Sequence, residues 1–374
     1  MVGLRPNIII KSAAQLDAAD RKAWQAMRAQ NPALYSPYFH IEYTELVASL
    51  RGDVRILCAY EKDTPIAFLP HQGTHFARPV GAPMTDYQGF ICAPETTLDV
   101  ASLLKQAGIG CYHFSAGVNK ALADYLRDED SGVMLDISVG AEAWRAARDS
   151  SYRRHLKSNR RRARKATEDI GEIRCEWSSH DKAVFDQLID WKSQKFVDTG
   201  KYNVLSAGWT LDMIQQLWAQ PDANLRADMH VLYMKDRVAA IDLGLTDGTT
   251  FHSWIVAYDG DLHSYAPGIQ LLEKLVDASA KLGYSRIDLG AGTDGYKRHY
   301  ASEDVLIGGG FIGAQGPAAA LSQIYAKAER FGEKSLKDAP GKLRRRYSQI
   351  AACEDSFSGR AKAMVNAVRV QGRS

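Results

Sequence analysis

The stretch Ser253–Tyr300, SWIVAYDGDLHSYAPGIQLLEKLVDASAKLGYSRIDLGAGTDGYKRHY, decides the fold. It opens as a strand, passes a polar loop and turns at Ala266-Pro267-Gly268. Apolar residues at helical spacing then run to Gly283. Pro suits the first position of a helix and Gly the position just past its end. Arg286–Leu289 reads as the next strand, followed by a glycine-rich turn. Gly268 lacks a Cβ, and a helix N-terminus favours an anion, so backbone N–H groups here can seat a pyrophosphate. Taken alone, the turn reads first as a plain helix start.

Working backwards, MHVLYMKDRVAAIDLGLTDGTTFHSWIVAYD reads as a three-stranded meander with turns at Lys235–Arg237 and Asp247–Thr249. Before it stand helical patterns, the strand EIRCEWS and the basic segment Ser151–Gly171. The first part of the chain repeats this grammar. VRILCAYEKDTPIAF is a strand, a Lys-Asp turn and a strand, as is MHVLYMKDRVAAIDL. The expectation is an α/β protein of two tandem mixed units, 1–140 and 141–315. An Ala-rich basic helical appendage follows over 316–374, loose towards its end.

The 374-residue chain has a formal charge of only +3. That charge is unevenly placed. Ser151–Lys165 holds eight Lys or Arg and no acid, and Gly316–Ser374 holds twelve basic against five acidic residues, so the remainder is net acidic. Two local basic features point to local anionic partners rather than general polyanion binding, and DNA is not expected. The five cysteines are scattered with no CxxC pair, which argues against a disulfide framework or zinc site and fits a reducing compartment. No metal is expected. The opening MVGLRPNIII is too weakly apolar for a signal peptide, and no transmembrane run is apparent, so the expected location is cytoplasmic, with peripheral contact at the inner membrane. GxxxxGK[ST], HExxH and GxSxG are absent.

The turn YAPGIQLL followed by IDLGAGTDGYKRHYA resembles the CelD/BcsL-type acyltransferases. These are GNAT-superfamily proteins related to the FemAB aminoacyltransferases and found in bacterial exopolysaccharide pathways. Ala266, Pro267, Gly268, Asp288, Gly290, Gly292, Tyr296 and Lys297 carry the pattern. The Arg-rich helix, LIDWKSQKF with Lys192, VAAIDLGL, YSPYFHIEYTELV, and TDYQGF with Asp86 and Tyr87 extend it over roughly 34–312. The resemblance implies GNAT-like units and transfer of an acyl group, acetyl first, from acyl-CoA to an amine on an exopolysaccharide or lipid-linked sugar precursor. A long-chain acyl-CoA or aminoacyl-tRNA donor, with an amino-lipid or peptidoglycan acceptor, stands as an alternative. So does a non-catalytic regulatory protein of the same fold.

The resemblance implies that the donor lies in a splay between the strand His252–Tyr258 and the strand Arg286–Leu289. Pro267, Gly268, Ile269 and Gln270 would stand at its mouth. Acyl transfer needs an acceptor for the amine proton and a donor for the thiolate. Asp288 is a candidate base, or a brace for the Gly-rich turn. Tyr296 is a candidate thiolate donor, or a packed aromatic. His252 is a candidate base, or a core histidine. Lys297, Lys192, Asp86 and Tyr87 are candidate substrate contacts. Arg154 and Arg161, on the basic helix, would face an anionic acceptor or the membrane bearing it; a solvated helix and a nucleic-acid grip are the other readings. Arg344, Arg345 and Arg346 suit stacking on a nucleotide effector such as cyclic di-GMP, and equally a tail brushing a membrane.

Overall fold

A computed structural model describes residues 6–118, 120–292, 295–335, 339–354, 358–362 and 364. The expected looseness of the chain's end falls largely on 365–374, outside the described residues. Contacts divide the chain into two compact units: 1–129 with 200–213 and 307–374, and 130–199 with 214–306. Both are mixed α/β.

In the first unit the chain runs β1 (Asn7–Lys11), α1 (Ala18–Gln30), α2 (Ile41–Leu50), β2 (Val54–Glu61), β3 (Thr64–Gln72), β4 (Phe76–Pro79), β5 (Ile91–Cys92), α3 (Val100–Gln106) and β6 (Cys111–Gly117). β1, β2, β3 and β4 pair antiparallel in sequence, with β5 also on β3, and β4 pairs parallel to β6. Leu57, Leu69, Phe90, Leu103, Leu104 and Tyr112 fill the core beneath α3. Asp17 caps α1 by accepting from the amides of Ala19 and Asp20, both at 2.9 Å.

The second unit takes β7 (Leu126–Asp136), α4 (Ala141–Ala146), α5 (Ser150–Asp169), β8 (Ile173–Glu176), α6 (Lys182–Asp198), α7 (Trp209–Trp218), β9 (Arg226–Met234), β10 (Arg237–Thr246), β11 (Thr250–Tyr258), α8 (Pro267–Leu282) and β12 (Arg286–Ala291). The unit boundaries fall inside β7 and α7, and inside β13 (Glu303–Gly313), which pairs with β6. The strands lie in the order β8-β9-β10-β11-β12-β7. All these pairs are antiparallel except β11–β12, which is parallel. The tail forms α9 (Gly316–Ser335) and α10 (Ala339–Cys353), counted with the first unit.

The β2–β3 and β9–β10 hairpins share more than a Lys-Asp turn. Each puts its lysine in the left-handed region, Lys62 at φ 55° and Lys235 at φ 56°. α8 buries Leu271, Leu272, Leu275 and Val276 and stops at Gly283, whose φ of 85° is left-handed. Leu272, Leu275 and Val276 pack on Phe251, Tyr284 and Ile287. A Cβ at Gly244 would stand 2.2 Å from the Phe251 ring, so the glycine lets that ring lie flat across β10. α5 is capped by Asp149, which accepts from the Tyr152 amide at 2.8 Å. It buries Tyr152, Asn159 and Ala166, one residue in seven along a single line.

Candidate active site

The parallel ladder between β11 and β12 is short. Thr250 faces Arg286, Phe251 faces Ile287 and His252 faces Asp288, and there the pairing stops. β11 runs on to Tyr258 with β10 alone. Trp254 is an extra residue against β10, where Gly244 faces Ser253 and Leu243 faces Ile255. A bulge bends its strand, so the two strands part beyond His252 and Asp288. Gly268, in the first turn of α8, stands by the far end of β11: its nearest neighbour in Cβ position is Tyr258, at 3.9 Å.

That first turn starts from Ala266, at φ 52°. The amides of Ile269 and Gln270 turn inward onto the Ala266 carbonyl, at 3.0 and 3.1 Å. Pro267 has no amide, which leaves Gly268 as the first-turn donor with no intrahelical acceptor. The Gln270 side chain is buried and donates to the Asn159 carbonyl at 2.9 Å, tying α8 to α5.

A polar cluster lies where the strands part. His252 Nδ1 and Asp288 Oδ1 are 3.4 Å apart and both fully buried. Asp288 Oδ1 also accepts from the Gly290 amide at 2.6 Å, so the carboxylate braces the glycine turn as well as facing the imidazole. On β10, Asp242 accepts from Ser253 Oγ at 2.8 Å, and its other oxygen is buried without a partner. Burial pushes the Asp242 carboxyl up to about 7, against the pull of the Ser253 hydroxyl, His252 and Lys192. Lys192, from α6, donates to the Val256 carbonyl at 3.3 Å. Tyr296 is part exposed; burial of its phenol, then the Asp242 charge, push it up to about 12. Lys297 donates to the Leu289 and Ala291 carbonyls at 2.6 and 3.0 Å, closing the end of β12.

Sequence reasoning passed over Asp242 and Ser253. The signal was a carboxylate in the middle of an apolar strand, AAIDLGL, which has to find a partner once buried. His252, Lys192 and Tyr296 interact with its charge, and Asp288 faces His252. Arg154 and Arg161 are exposed on α5. Asp86 and Tyr87 belong to the first unit, where Tyr87 is buried with its ring 6.1 Å from that of Tyr35. Arg344 pairs with Glu329 at 2.6 Å and with Asp128 at 3.6 Å, and Arg346 donates to the Gly200 carbonyl. The side chain of Arg345 lies outside the described residues. Among the described residues no group of three or more metal-ligating side chains is placed to hold an ion.

Residues 150–298 match the family model of the acetyltransferase (GNAT) domain. No curated protein matches the chain. Among solved structures, FemX is similar over 83% of this chain and 98% of its own, at 9% identity and a TM-score of 0.52. A tandem GNAT protein from the clavulanic acid biosynthesis pathway aligns over 83% of this chain and 99% of its own, at 9% identity and a TM-score of 0.46.

The chain has a mixed α/β GNAT-like fold, and its match to an acetyltransferase (GNAT) domain over residues 150–298 supports an acyltransferase.

Proposed function

We propose that the chain moves an acyl group, acetyl in the first instance, from acyl-CoA to an amine on a sugar of an exopolysaccharide or lipid-linked precursor. The observation that carries this reading is the parting of β11 and β12 with a buried polar cluster at its root and the Gly268 amide beside its far end. The gap suits a pantetheine arm, and the helix start suits a pyrophosphate.

The amine nitrogen attacks the thioester carbonyl, and the C–S bond breaks as the tetrahedral intermediate collapses. The amine's proton passes to Ser253 Oγ while the Ser253 proton passes to Asp242 Oδ2, along the existing 2.8 Å hydrogen bond. A carboxyl poised near neutrality suits a general base. Tyr296 gives its proton to the departing thiolate. Asp288 holds His252 and the Gly290 turn in place.

The charge on α5 supports an anionic acceptor. Arg154, Lys157, Arg160, Arg161, Arg162 and Arg164 have no carboxylate within ion-pair reach among the described residues, and all are exposed. Such like charges repel at helical spacing unless an anion relieves them.

Calorimetry with CoA and acetyl-CoA, then thiol release with amino sugars and amino lipids, tests the reading. Donor binding in the micromolar range and amine-dependent thiol release are expected. A chain that binds no CoA species is not this enzyme.

A further inference from the structure

Beside the catalytic cluster lies a second group of side chains that the acyl-transfer chemistry leaves unused. His155 of α5 and His299 stack face to face, with ring centroids 4.7 Å apart and planes 24° from parallel. Ser151 Oγ lies 2.8 Å from His299 Nδ1. His155 Nε2 is buried without a partner. Three guanidiniums add their charge: Arg162 acts on His155, and Arg154 and Arg298 act on His299. None of the three has a carboxylate within ion-pair reach among the described residues. His299 follows Tyr296 within one turn, its amide bonded to the Tyr296 carbonyl at 3.0 Å.

We propose that Ser151, Arg154, His155, Arg162, Arg298 and His299 form a binding subsite for a phosphate monoester carried by a substrate. Hydroxyl, imidazole and guanidinium groups are the donors such an anion takes, and Arg gives it charge as well as geometry. The subsite deepens the acyl-transfer reading by adding a phosphate to one of the two substrates. Its anion-binding arm stands without that reading.

Both imidazoles are held in the neutral form. Burial, then the His299 ring and Arg162, push His155 down to about 4; burial and Arg298 lower His299, against an upward pull from Asp149. Tyr300 stands edge-on to His155 at 5.6 Å, and Lys297 is engaged with the β12 carbonyls. A bound phosphate reverses the local charge and raises both imidazoles, so binding takes up protons.

Titration with inorganic phosphate, in two buffers of different ionisation enthalpy, tests this. Affinity should rise as the pH falls from about 8 to about 6.5, by up to about tenfold per unit for each proton taken up. Arg298→Gln, at an exposed position, and His299→Gln should each weaken binding about tenfold, the size of one lost charge-assisted bond. Lys105→Gln, on α3, should leave it unchanged. Two comparisons then identify the source. Tighter binding of CoA than of dephospho-CoA, lost in Arg298→Gln, assigns the phosphate to the donor. Tighter binding of a phosphorylated amino sugar than of glucosamine, lost in the same variant, assigns it to the acceptor. No phosphate binding, binding that ignores both substitutions, or an anion site that discriminates neither pair overturns the proposal. Absence of acyl transfer with phosphate binding retained would instead count against the enzymatic reading alone.

Discussion

Asp242 carries a cost that its position explains. It is buried among strand residues, with one oxygen on Ser253 and the other without a partner. Its folded value of about 7 lies above the ordinary 3.8, so the folded chain holds the proton more tightly than the unfolded one. The stability this lends is complete below the ordinary value and is lost as the pH rises through about 7. Asp242→Asn should therefore narrow the difference in unfolding free energy between about pH 4 and about pH 8 by a few kcal/mol, at roughly 1.4 kcal/mol per unit. Denaturant titrations at both pH values check this. The same substitution should lower acyl transfer by about a hundredfold or more and remove the rise in rate near neutral pH, because the base is gone.

At the scale of the elements, α8 and its entry turn set the geometry of the donor seat. A Cβ at Gly268 meets only Tyr258, at 3.9 Å, so Gly268→Ala should fold, retain CoA affinity and gain up to about 1 kcal/mol of stability. Gly268→Trp should fill the mouth and weaken CoA binding at least about tenfold, comparable to one lost charged contact. Calorimetry on both variants decides it, and equal affinity of the tryptophan variant would remove the pyrophosphate from this turn. The start and stop of α8 were legible because Pro267 and Gly283 act through local backbone preference. The paired hairpins were legible for the same reason. Asp242 was not, because strand periodicity tells which face a residue takes but not which partner waits there.

Across the whole molecule, the assignment of 200–213 to the first unit rests on contacts such as Tyr202 with Glu354, 152 residues apart and 2.9 Å between oxygens. Local pattern holds no trace of such a contact. Buried histidines set the acid limit. Burial pushes His71, His113 and His230 down to about 4 from the ordinary 6.5. A depressed value means the unfolded chain takes up protons first. The stability is present above 6.5 and is lost as the pH falls through about 4. The melting temperature should fall steadily between those limits, and a flat profile would contradict the burial of these rings. The line Tyr152, Asn159, Ala166 on α5 has a last consequence. A rotation that advanced the helix by one residue would put Arg153 and Arg160 on that line and force two cations into the core. The helix is thereby keyed like a shaft in a slot, and the direction in which its charges point is fixed by what it must hide.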